Sequence, residues 1–335
     1  MPRQARIDAP GALQHIIVRG IERRKLFADD ADRKAFVDRL GRLLEESGTA
    51  CYAWTLMPTH VHLLLQTGTV PVATVMRRLL TGYAVTFNRR HRRHGPLFQN
   101  RYKSILCQQD PYLLELVRYI HLNPLRGKLV RTLGDLDRYP YAGHRALLGN
   151  QETVWQDTSV VLGQFGGRVR AARSAYRAFV AAGIPRGRRP ELVGGGLIRS
   201  LGGWTAVQAL RRGDARLKGD ERILGDPSFV LEVLKAADEQ LKRQEQLRRQ
   251  GYDLERLGRQ VAEGFGVAPN DLFRPTKRPP LVAARSLFCY WAARELGVTT
   301  TAIARRLGLS QPAVSTAVRR GEDLARAQGL RLLDE

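Results

Sequence analysis

Two histidines separated by a single residue, His60 and His62, have the clearest chemical potential in this chain. They lie in a β-forming run at residues 56–65, and side chains two positions apart on a strand point to the same face. Two neutral imidazoles on one face supply half of a site for a divalent metal. A His-x-His pair on a strand is also often solvated or hydrogen-bonded without a metal, so the spacing alone leaves both interpretations open.

A tyrosine and an asparagine form a second candidate pair. Tyr119 and Asn123 are four residues apart in a helical pattern, which places them on one helix face, one turn apart. From spacing alone, Tyr119 is more typical of a half-buried core aromatic with a hydrogen-bonded hydroxyl. His121 falls roughly on the opposite face, and we interpret it as a surface or core histidine. The competing phenols are Tyr83, Tyr102 and Tyr112.

These residues lie in an alternating pattern of strands and helices. The hydrophobic patterns predict strands at 13–18, 50–57, 60–66 and 102–108 and helices at 29–46, 72–90 and 112–122. Asp110 and Pro111 predict the start of the last helix, as N-cap and first helical residue, and Pro124 predicts its end. The order βαββαβ plus a final helix indicates an α+β fold, a ferredoxin-like sandwich with a largely antiparallel sheet.

The composition indicates a globular protein with a polyanionic partner. The chain has 335 residues, 43% of them hydrophobic, and its 55 Lys and Arg against 32 Asp and Glu give a formal net charge of +23. This length predicts two or three domains of roughly 100–200 residues each. Such a basic chain favours nucleic acid as the partner, with an anionic membrane surface second. Charge alone does not separate an enzyme from a structural RNA-binding protein.

The cysteines and the first residues bear on cellular location. Cys51, Cys107 and Cys289 are far apart and show no Cys-x-x-Cys spacing, which argues against a disulfide framework or a cysteine zinc site. The first residues contain no apolar signal core, and no stretch approaches the length of a membrane span. We therefore expect a soluble, cytoplasmic protein that does not enter the membrane.

A basic stretch at residues 88–103 contains no acidic residue and predicts contact with nucleic acid. Phe98, in the same stretch, is assigned to the core rather than to stacking on a base. The alternative is a solvated, charged helix end. The predicted phosphate-binding residues are Arg89, Arg90, Arg92, Arg93, Arg101 and Lys103.

Residues 300–320 predict a helix-turn-helix. A short helix at 302–307 is followed by a turn at Gly308, and Ser310 caps a second helix that Pro312 opens. An ordinary helical hairpin is the alternative, and the charge favours DNA binding. The residues available to a major groove are Gln311, Ser315, Thr316, Arg319 and Arg320.

Composition divides the chain into three regions. Residues 1–148 carry the strands and helices described above, and 149–225 are a Gly- and Arg-rich connecting region that is partly helical. Residues 226–335 are predicted to be a helical DNA-binding domain containing the helix-turn-helix.

Three ordered motifs, at residues 57–64, 95–103 and 118–127, resemble those of the single-tyrosine HUH transposases. The resemblance is to the REP-associated tyrosine transposases in particular, which are relatives of the smallest bacterial insertion-sequence transposases. Residues 2–20 also match the start of that family, and the resemblance covers about residues 1–148. Residues 284–320 resemble the carboxy-terminal DNA-binding domain of bacterial replication initiators.

The resemblance implies a metal-dependent enzyme that cleaves and rejoins single-stranded DNA at hairpins, in DNA transposition. By that resemblance, Tyr119 attacks phosphorus to leave a 5′-phosphotyrosine and a free 3′-hydroxyl. His60, His62 and Asn123 would hold Mg²⁺ or Mn²⁺, although related enzymes often carry the longer Gln where this chain has Asn123.

Two other functions are compatible with the same residues. One is a domesticated, catalytically silent regulator that binds repeat sequences, and the other is a relaxase-like replication initiator. The expected partners are single-stranded DNA hairpins, together with duplex DNA through the helix-turn-helix. The sequence is compatible with a monomer or a homodimer, including a dimer in which Tyr119 of one chain meets the histidines of the other.

Overall fold

The structure is a computed structural model, and it describes residues 7, 11–68, 70–187, 189, 192, 220, 222–274 and 278–332. Much of the connecting region predicted at 149–225 and most of the first ten residues lie outside this set. The chain divides into two units, Met1–Glu232 and Val233–Glu335. The helix at 169–181 belongs to the first unit, and the three-region division stays a proposal.

A five-stranded sheet organises the first unit. Its strands are β1 (Leu13–Arg19), β2 (Ala50–Met57), β3 (His60–Gln66), β4 (Lys103–Cys107) and β5 (Ile223–Leu224). Their order is β2-β3-β1-β4-β5, with antiparallel pairing except between β4 and β5. The order β4-β1-β3-β2 is that of a ferredoxin-like sheet, so the predicted α+β fold is confirmed, and β2 and β3 match their predicted bounds residue for residue.

Eight α-helices are described in the first unit. They are α1 (Asp30–Ser47), α2 (Val72–Arg90), α3 (Gln109–His121), α4 (Asn123–Arg126), α5 (Leu133–Arg138), α6 (His144–Leu148), α7 (Ser159–Gly163) and α8 (Val169–Ala181). Helix α1 begins where the Asp29 carboxylate accepts a hydrogen bond from the Asp32 amide, and it ends at Gly48 in the left-handed conformation, φ 61°.

The two faces of the sheet bury different clusters. Val61, Leu63 and Leu65 of β3 pack with residues of α1 and α2. The opposite face, which carries Leu64, packs against apolar residues of α3 and α8, including Ile120 and Tyr176. Because side chains alternate along a strand, His60 and His62 share the face that α3 covers. The fold therefore brings the histidine strand and the tyrosine helix together.

The start of α3 differs from the prediction. Gln108 is the N-cap and Gln109 the first helical residue, so Asp110 and Pro111 occupy the second and third positions, and the predicted N-cap is wrong. The first four amides of a helix have no partner within it, so proline anywhere in the first turn removes no hydrogen bond. The helix ends at His121, one residue before the predicted end at Leu122, and a further short helix follows at α4.

The second unit is helical. Its helices are α9 (Pro227–Arg249), which begins before the unit boundary, α10 (Leu254–Gly264), α11 (Pro269–Leu272), α12 (Pro279–Arg294), α13 (Thr300–Leu307) and α14 (Gln311–Gln328). Helix α13 ends at left-handed Gly308, and the Ser310 hydroxyl caps α14, both as predicted. Helix α14 continues eight residues beyond the predicted end at 320. That this helix pair binds DNA stays a prediction.

Two further expectations are addressed by the structure. Within the described part of the chain, no helix combines the length and apolarity needed to cross a bilayer. The three cysteines are all buried, each as a thiol.

Candidate active site

The paired histidines of β3 lie on the sheet face that α3 covers. Their ring centroids are 5.1 Å apart, and His62 is buried while His60 is partly exposed. In the register of the sheet, His62 is opposite Ile17 of β1, and His60 is opposite Arg19. The pair thus lies at the turn end of the β2–β3 hairpin, where the Thr59 hydroxyl is 3.2 Å from Nδ1 of His60.

Both imidazoles are held in the neutral form. Burial lowers the pKa of His60 to about 4, and the nearby charge of Arg19 acts in the same direction. Burial also lowers the pKa of His62 well below its usual range, with additional effects of His15, His60 and Arg19. A neutral imidazole has a lone pair available for a metal ion, which protonated histidine lacks.

A third histidine, His15 of β1, completes the buried part of this cluster. Its Nε2 is 2.9 Å from Nδ1 of His62, and the two rings stack with centroids 5.2 Å apart. Sequence analysis did not single out His15 as a site residue. His15 lies two residues before Ile17, which is opposite His62, so it projects to the same face as His62 on the neighbouring strand. This relation follows from the pairing of β1 with β3, which the local sequence does not give.

Tyr119 of α3 lies against these histidines. Its ring centroid is 5.7 Å from that of His62 and 5.9 Å from that of His15, edge-on in both cases. The Arg126 guanidinium carbon lies 5.5 Å from the Tyr119 ring centroid. Of the competing phenols, Tyr83 and Tyr102 are buried in the cluster on the other face of the sheet. The structure therefore brings the predicted nucleophile beside the predicted metal ligands.

The Asn123 side chain has a fixed orientation. Its Nδ2 donates hydrogen bonds to the backbone carbonyls of Tyr119, at 2.9 Å, and Ile120, at 3.3 Å. A carbonyl only accepts hydrogen bonds, so the amide nitrogen must face the helix and Oδ1 must face away from it. The oxygen is the amide atom that Mg²⁺ and Mn²⁺ prefer, and it is the atom that is left available.

The donor types of His60, His62 and Asn123 suit a divalent metal. His62 directs Nδ1 to His15, and His60 has Nδ1 near Thr59, so Nε2 of each ring is the nitrogen that could bind a metal. Hydrogen bonding of the second ring nitrogen is typical of metal-binding histidines. Among the described residues, no group of three His, Cys, Asp or Glu side chains is arranged to hold a metal. The third predicted ligand, however, is an amide, and two imidazoles with one amide oxygen leave room for water and phosphate oxygens.

The basic residues predicted to bind DNA are mostly exposed. Arg89, Arg92, Arg101 and Lys103 are exposed, whereas Arg93 is partly buried. Arg90 is different, because it forms ion pairs with Asp29 at 2.6 Å and with Asp32 at 2.5 Å. The acids come from the start of α1, far away in sequence, so a stretch without acids does not guarantee unpaired cations. Phe98 packs against the core, which confirms its assignment.

A cleft of about 310 Å³ adjoins the histidine pair. Its lining residues are Ile17, Arg19, Gln99, Asn100, Arg101 and Lys103. Arg101 and Lys103 were predicted to bind DNA, whereas Arg19 was not, because only the sheet register shows that Arg19 is opposite His60.

The residues predicted to contact a major groove lie in the second unit. Arg319 and Arg320 are exposed. Gln311 donates to the Thr300 hydroxyl at 3.2 Å, and the Ser315 hydroxyl donates to the Gln311 carbonyl at 3.1 Å. Thr316 is partly buried on the same helix.

Comparison with known proteins identifies the region that contains this site. Residues 11–123 match the model of the IS200-like transposase family. A solved structure of a REP-associated tyrosine transposase bound to a REP hairpin also matches. The match covers 47% of this chain and 93% of the chain in that structure, with 15% sequence identity and a TM-score of 0.38. No curated protein matches the sequence.

Proposed function

We propose that the chain, whose residues 11–123 match the IS200-like transposase family, cleaves and rejoins single-stranded DNA through Tyr119. The observation that carries the proposal is the position of the Tyr119 ring, whose centroid is 5.7 Å from that of His62. A phenol close to two neutral imidazoles supports the proposal.

The chemistry is a transesterification at phosphorus. The Tyr119 hydroxyl oxygen attacks the scissile phosphate, the bond from phosphorus to O3′ breaks, and the phenolic proton is lost as O3′ gains one. The products are a 5′-phosphotyrosine and a free 3′-hydroxyl. One phosphodiester replaces another, so attack by a second 3′-hydroxyl releases Tyr119 and rejoins the strands without ATP.

The chain's own residues hold the reactive groups in place. His15 orients His62 through their shared hydrogen bond, and Asn123 is anchored to the backbone of the helix turn that carries Tyr119. We assign Nε2 of His60, Nε2 of His62 and Oδ1 of Asn123 as ligands of Mg²⁺ or Mn²⁺, which when bound supplies Lewis-acid polarisation of the scissile phosphate.

The proposed substrate is a single strand that carries a short hairpin, as the motif resemblance implies. The exposed cations of residues 89–103 would contact its phosphates, and Arg90 would do so only by exchanging its carboxylate partners. In the second unit, Gln311, Ser315, Thr316, Arg319 and Arg320 are proposed to contact duplex DNA. The proposed function is compatible with a monomer or a homodimer.

A covalent-adduct assay tests this function. Hairpin oligonucleotides taken from the flanks of the chain's own gene, labelled at the 5′ or the 3′ end, are incubated with Mn²⁺ or with EDTA and run on a denaturing gel. We expect a Mn²⁺-dependent adduct that carries the 3′ label, because the DNA downstream of the nick stays on the protein.

The controls are two tyrosine variants on the same helix. Tyr119→Phe is expected to abolish the adduct, while Tyr112→Phe retains it. An adduct with Tyr119→Phe contradicts the assignment of the nucleophile. Tight binding of several flanking hairpins without any adduct supports a DNA-binding regulator instead.

A further inference from the structure

The helix face that carries the proposed nucleophile carries two further polar side chains. Tyr119, Asn123 and Arg126 follow one another at intervals of four and three residues. Side chains at positions i, i+4 and i+7 of a helix lie on the same face, each one turn from the next. Tyr119 and Asn123 have proposed roles as nucleophile and metal ligand, and the cation that follows them has none so far.

Helical hydrogen bonding continues across the break between α3 and α4. The Arg126 amide donates to the Leu122 carbonyl, four residues before it, at 3.0 Å. Pro124 has no amide to donate to the Ile120 carbonyl, and the Asn123 side chain donates to that carbonyl instead, at 3.3 Å. The three polar side chains therefore keep the spacing of one continuous helix.

The Arg126 guanidinium lies over the Tyr119 ring. Its carbon atom is 5.5 Å from the ring centroid, within the distance of about 6 Å at which a cation is attracted to an aromatic face. Both side chains are partly buried, and this attraction is stronger where water is partly excluded. His62 and His15 contact the same ring edge-on. Two imidazoles and one guanidinium thus surround the phenol ring.

Arg126 also contacts the end of α8. Its Nη2 is 3.5 Å from the Gly183 carbonyl oxygen. The Gly183 amide donates to the Val180 carbonyl at 3.0 Å, so this glycine belongs to the hydrogen-bonded end of that helix. The guanidinium is therefore held by its own helix and by a neighbouring one.

A tyrosine nucleophile needs such a restraint. Its side chain has several staggered rotamers, and a change in χ1 moves the hydroxyl oxygen by several ångströms. Attack at phosphorus requires the oxygen to stay close to the phosphate and in line with the leaving group. Contacts that favour one rotamer therefore raise the fraction of molecules that are ready to react.

We propose that Arg126 is a positioning residue, which holds the Tyr119 ring in its reactive rotamer through the contact with the ring face. This inference rests on the proposed function, because the restraint matters for the rate only if Tyr119 is the nucleophile. Arg126 acts through Tyr119 and is not assigned a contact with DNA.

Rates and affinities of full-length variants test the proposal. The single-turnover rate of adduct formation is measured with Mn²⁺ at saturating hairpin DNA, and the Kd for the same DNA is measured in EDTA by fluorescence anisotropy. Arg126→Gln loses the cation but keeps a donor for the Gly183 carbonyl. It should lower the rate about tenfold, as expected for loss of a partly desolvated cation–π contact, and leave the Kd unchanged.

Two matched variants accompany it. Arg126→Lys keeps a cation and should recover part of the rate. Arg131→Gln, at an exposed position beyond α4, should change neither the rate nor the Kd. Urea midpoints show which variants are folded, and Arg126→Met is a second variant without the cation if Arg126→Gln is unstable.

Fluorine NMR reports on the ring itself and needs neither DNA nor metal. With 3-fluorotyrosine in place of Tyr119, a confined ring should give a resonance displaced from that of the free amino acid. The displacement should decrease in Arg126→Gln and persist in Arg126→Lys and Arg131→Gln.

A wild-type fluorine spectrum or a wild-type rate in Arg126→Gln overturns the proposal. Weaker DNA binding with an unchanged spectrum also overturns it, and assigns the guanidinium to DNA instead. If the wild-type chain forms no adduct, the proposed function fails, whereas a spectrum that changes in Arg126→Gln still supports the restraint of the ring by Arg126.

Discussion

His121 Nδ1 lies 2.8 Å from the hydroxyl oxygen of Tyr176, which belongs to helix α8. The same hydroxyl is 2.7 Å from Nδ1 of His144, whose Nε2 is 3.0 Å from the Asp137 carboxylate. His121, His144 and Tyr176 are completely buried. Of the two predicted positions for His121, surface or core, the structure shows the core. The hydrogen bond of His121 to Tyr176 connects the helix turn that carries Tyr119 to α8.

The Asp137 carboxylate only accepts hydrogen bonds, and this fixes the donor and the acceptor of each hydrogen bond in the series from Asp137 to His121. Burial lowers the pKa of His144 despite Asp137, so the ring is neutral and its Nε2–H donates to that carboxylate. Its Nδ1 must then accept from the Tyr176 hydroxyl. The Tyr176 oxygen in turn accepts from Nδ1–H of His121, whose pKa burial lowers well below its usual range.

Tyr176→Phe should therefore destabilise the first unit. The substitution leaves a buried acceptor on His144 and a buried donor on His121 without their partner, at a cost of about 1–3 kcal/mol. Urea unfolding followed by circular dichroism measures the loss. The control is Tyr141→Phe, a partly exposed tyrosine whose hydroxyl hydrogen-bonds the exposed Asp30 carboxylate, which water can satisfy after the substitution. A Tyr176→Phe protein as stable as wild type would show that this network contributes nothing.

The hydrogen bond between His15 and His62 should support metal binding. His15→Phe removes the group that orients His62, and loss of such a partner typically weakens metal affinity about 10–100-fold. His15→Gln should lose less, because its amide can still accept a hydrogen bond from Nδ1–H of His62. Affinity is measured from the electron paramagnetic resonance signal of free Mn²⁺. Exposed His94→Gln is the control, and unchanged affinity in His15→Phe would contradict the assignment.

The local part of the fold and site could be predicted from sequence, and the non-local part could not. The bounds of β2, β3 and α2 follow from hydrophobic period, and the i,i+4 relation of Tyr119 and Asn123 follows from helix geometry. His15 belongs to the site because β1 lies next to β3, a pairing that depends on the whole sheet. No local pattern contains that information.

The ion pairs show the same limit. Arg90 finds its carboxylates at the start of α1, and His121 finds its phenol on α8, in both cases more than 50 residues away in sequence. The sequence gives the number of charged and aromatic residues. Which of them form ion pairs or hydrogen bonds with one another depends on how the helices pack.

Asn123 should contribute to metal affinity through its oxygen. Asn123→Ala removes Oδ1 and should weaken Mn²⁺ binding roughly tenfold, or about 1.4 kcal/mol, since the two imidazoles remain. Asn123→Asp keeps an oxygen but loses the amide that donates to the Tyr119 carbonyl, so it should bind Mn²⁺ while forming less adduct. Exposed Asn270→Ala serves as the control. Full Mn²⁺ affinity in Asn123→Ala would exclude this residue as a ligand.

Arg90 and His91, at the end of α2, contact the Asp32 carboxylate of α1. These contacts should make the stability of the first unit decrease in acid. Although burial acts to raise the pKa of Asp32, hydrogen bonds from His91, the Ala28 amide and Arg90 outweigh it and lower that pKa. A carboxylate with a lowered pKa in the folded state stabilises the protein above its unfolded pKa of about 3.9, and this stability is lost as pH falls.

Asp32→Asn should therefore be less stable than wild type at pH 7 and should lose less stability between pH 5 and pH 3. Urea midpoints across that range measure the difference. Asp38→Asn, at an exposed position on the same helix, should follow the wild-type profile. Parallel pH profiles for Asp32→Asn and wild type would show that this carboxylate is not the acid-sensitive group.

Close packing of the end of α8 against α3 gives the last prediction. A Cβ on Gly183 would lie 2.5 Å from Cδ of Arg118 and 2.9 Å from Cδ1 of Leu122, so Gly183→Ala must displace α3 or its side chains, at a cost of about 1–3 kcal/mol. Gly163→Ala is the matched control, because a Cβ there meets nothing within 4 Å. If α8 supports the helix that carries Tyr119, Gly183→Ala should lower both the urea midpoint and the rate of adduct formation, whereas Gly163→Ala lowers neither. A Gly183→Ala protein with wild-type stability and adduct rate would show that α3 keeps its position without this contact.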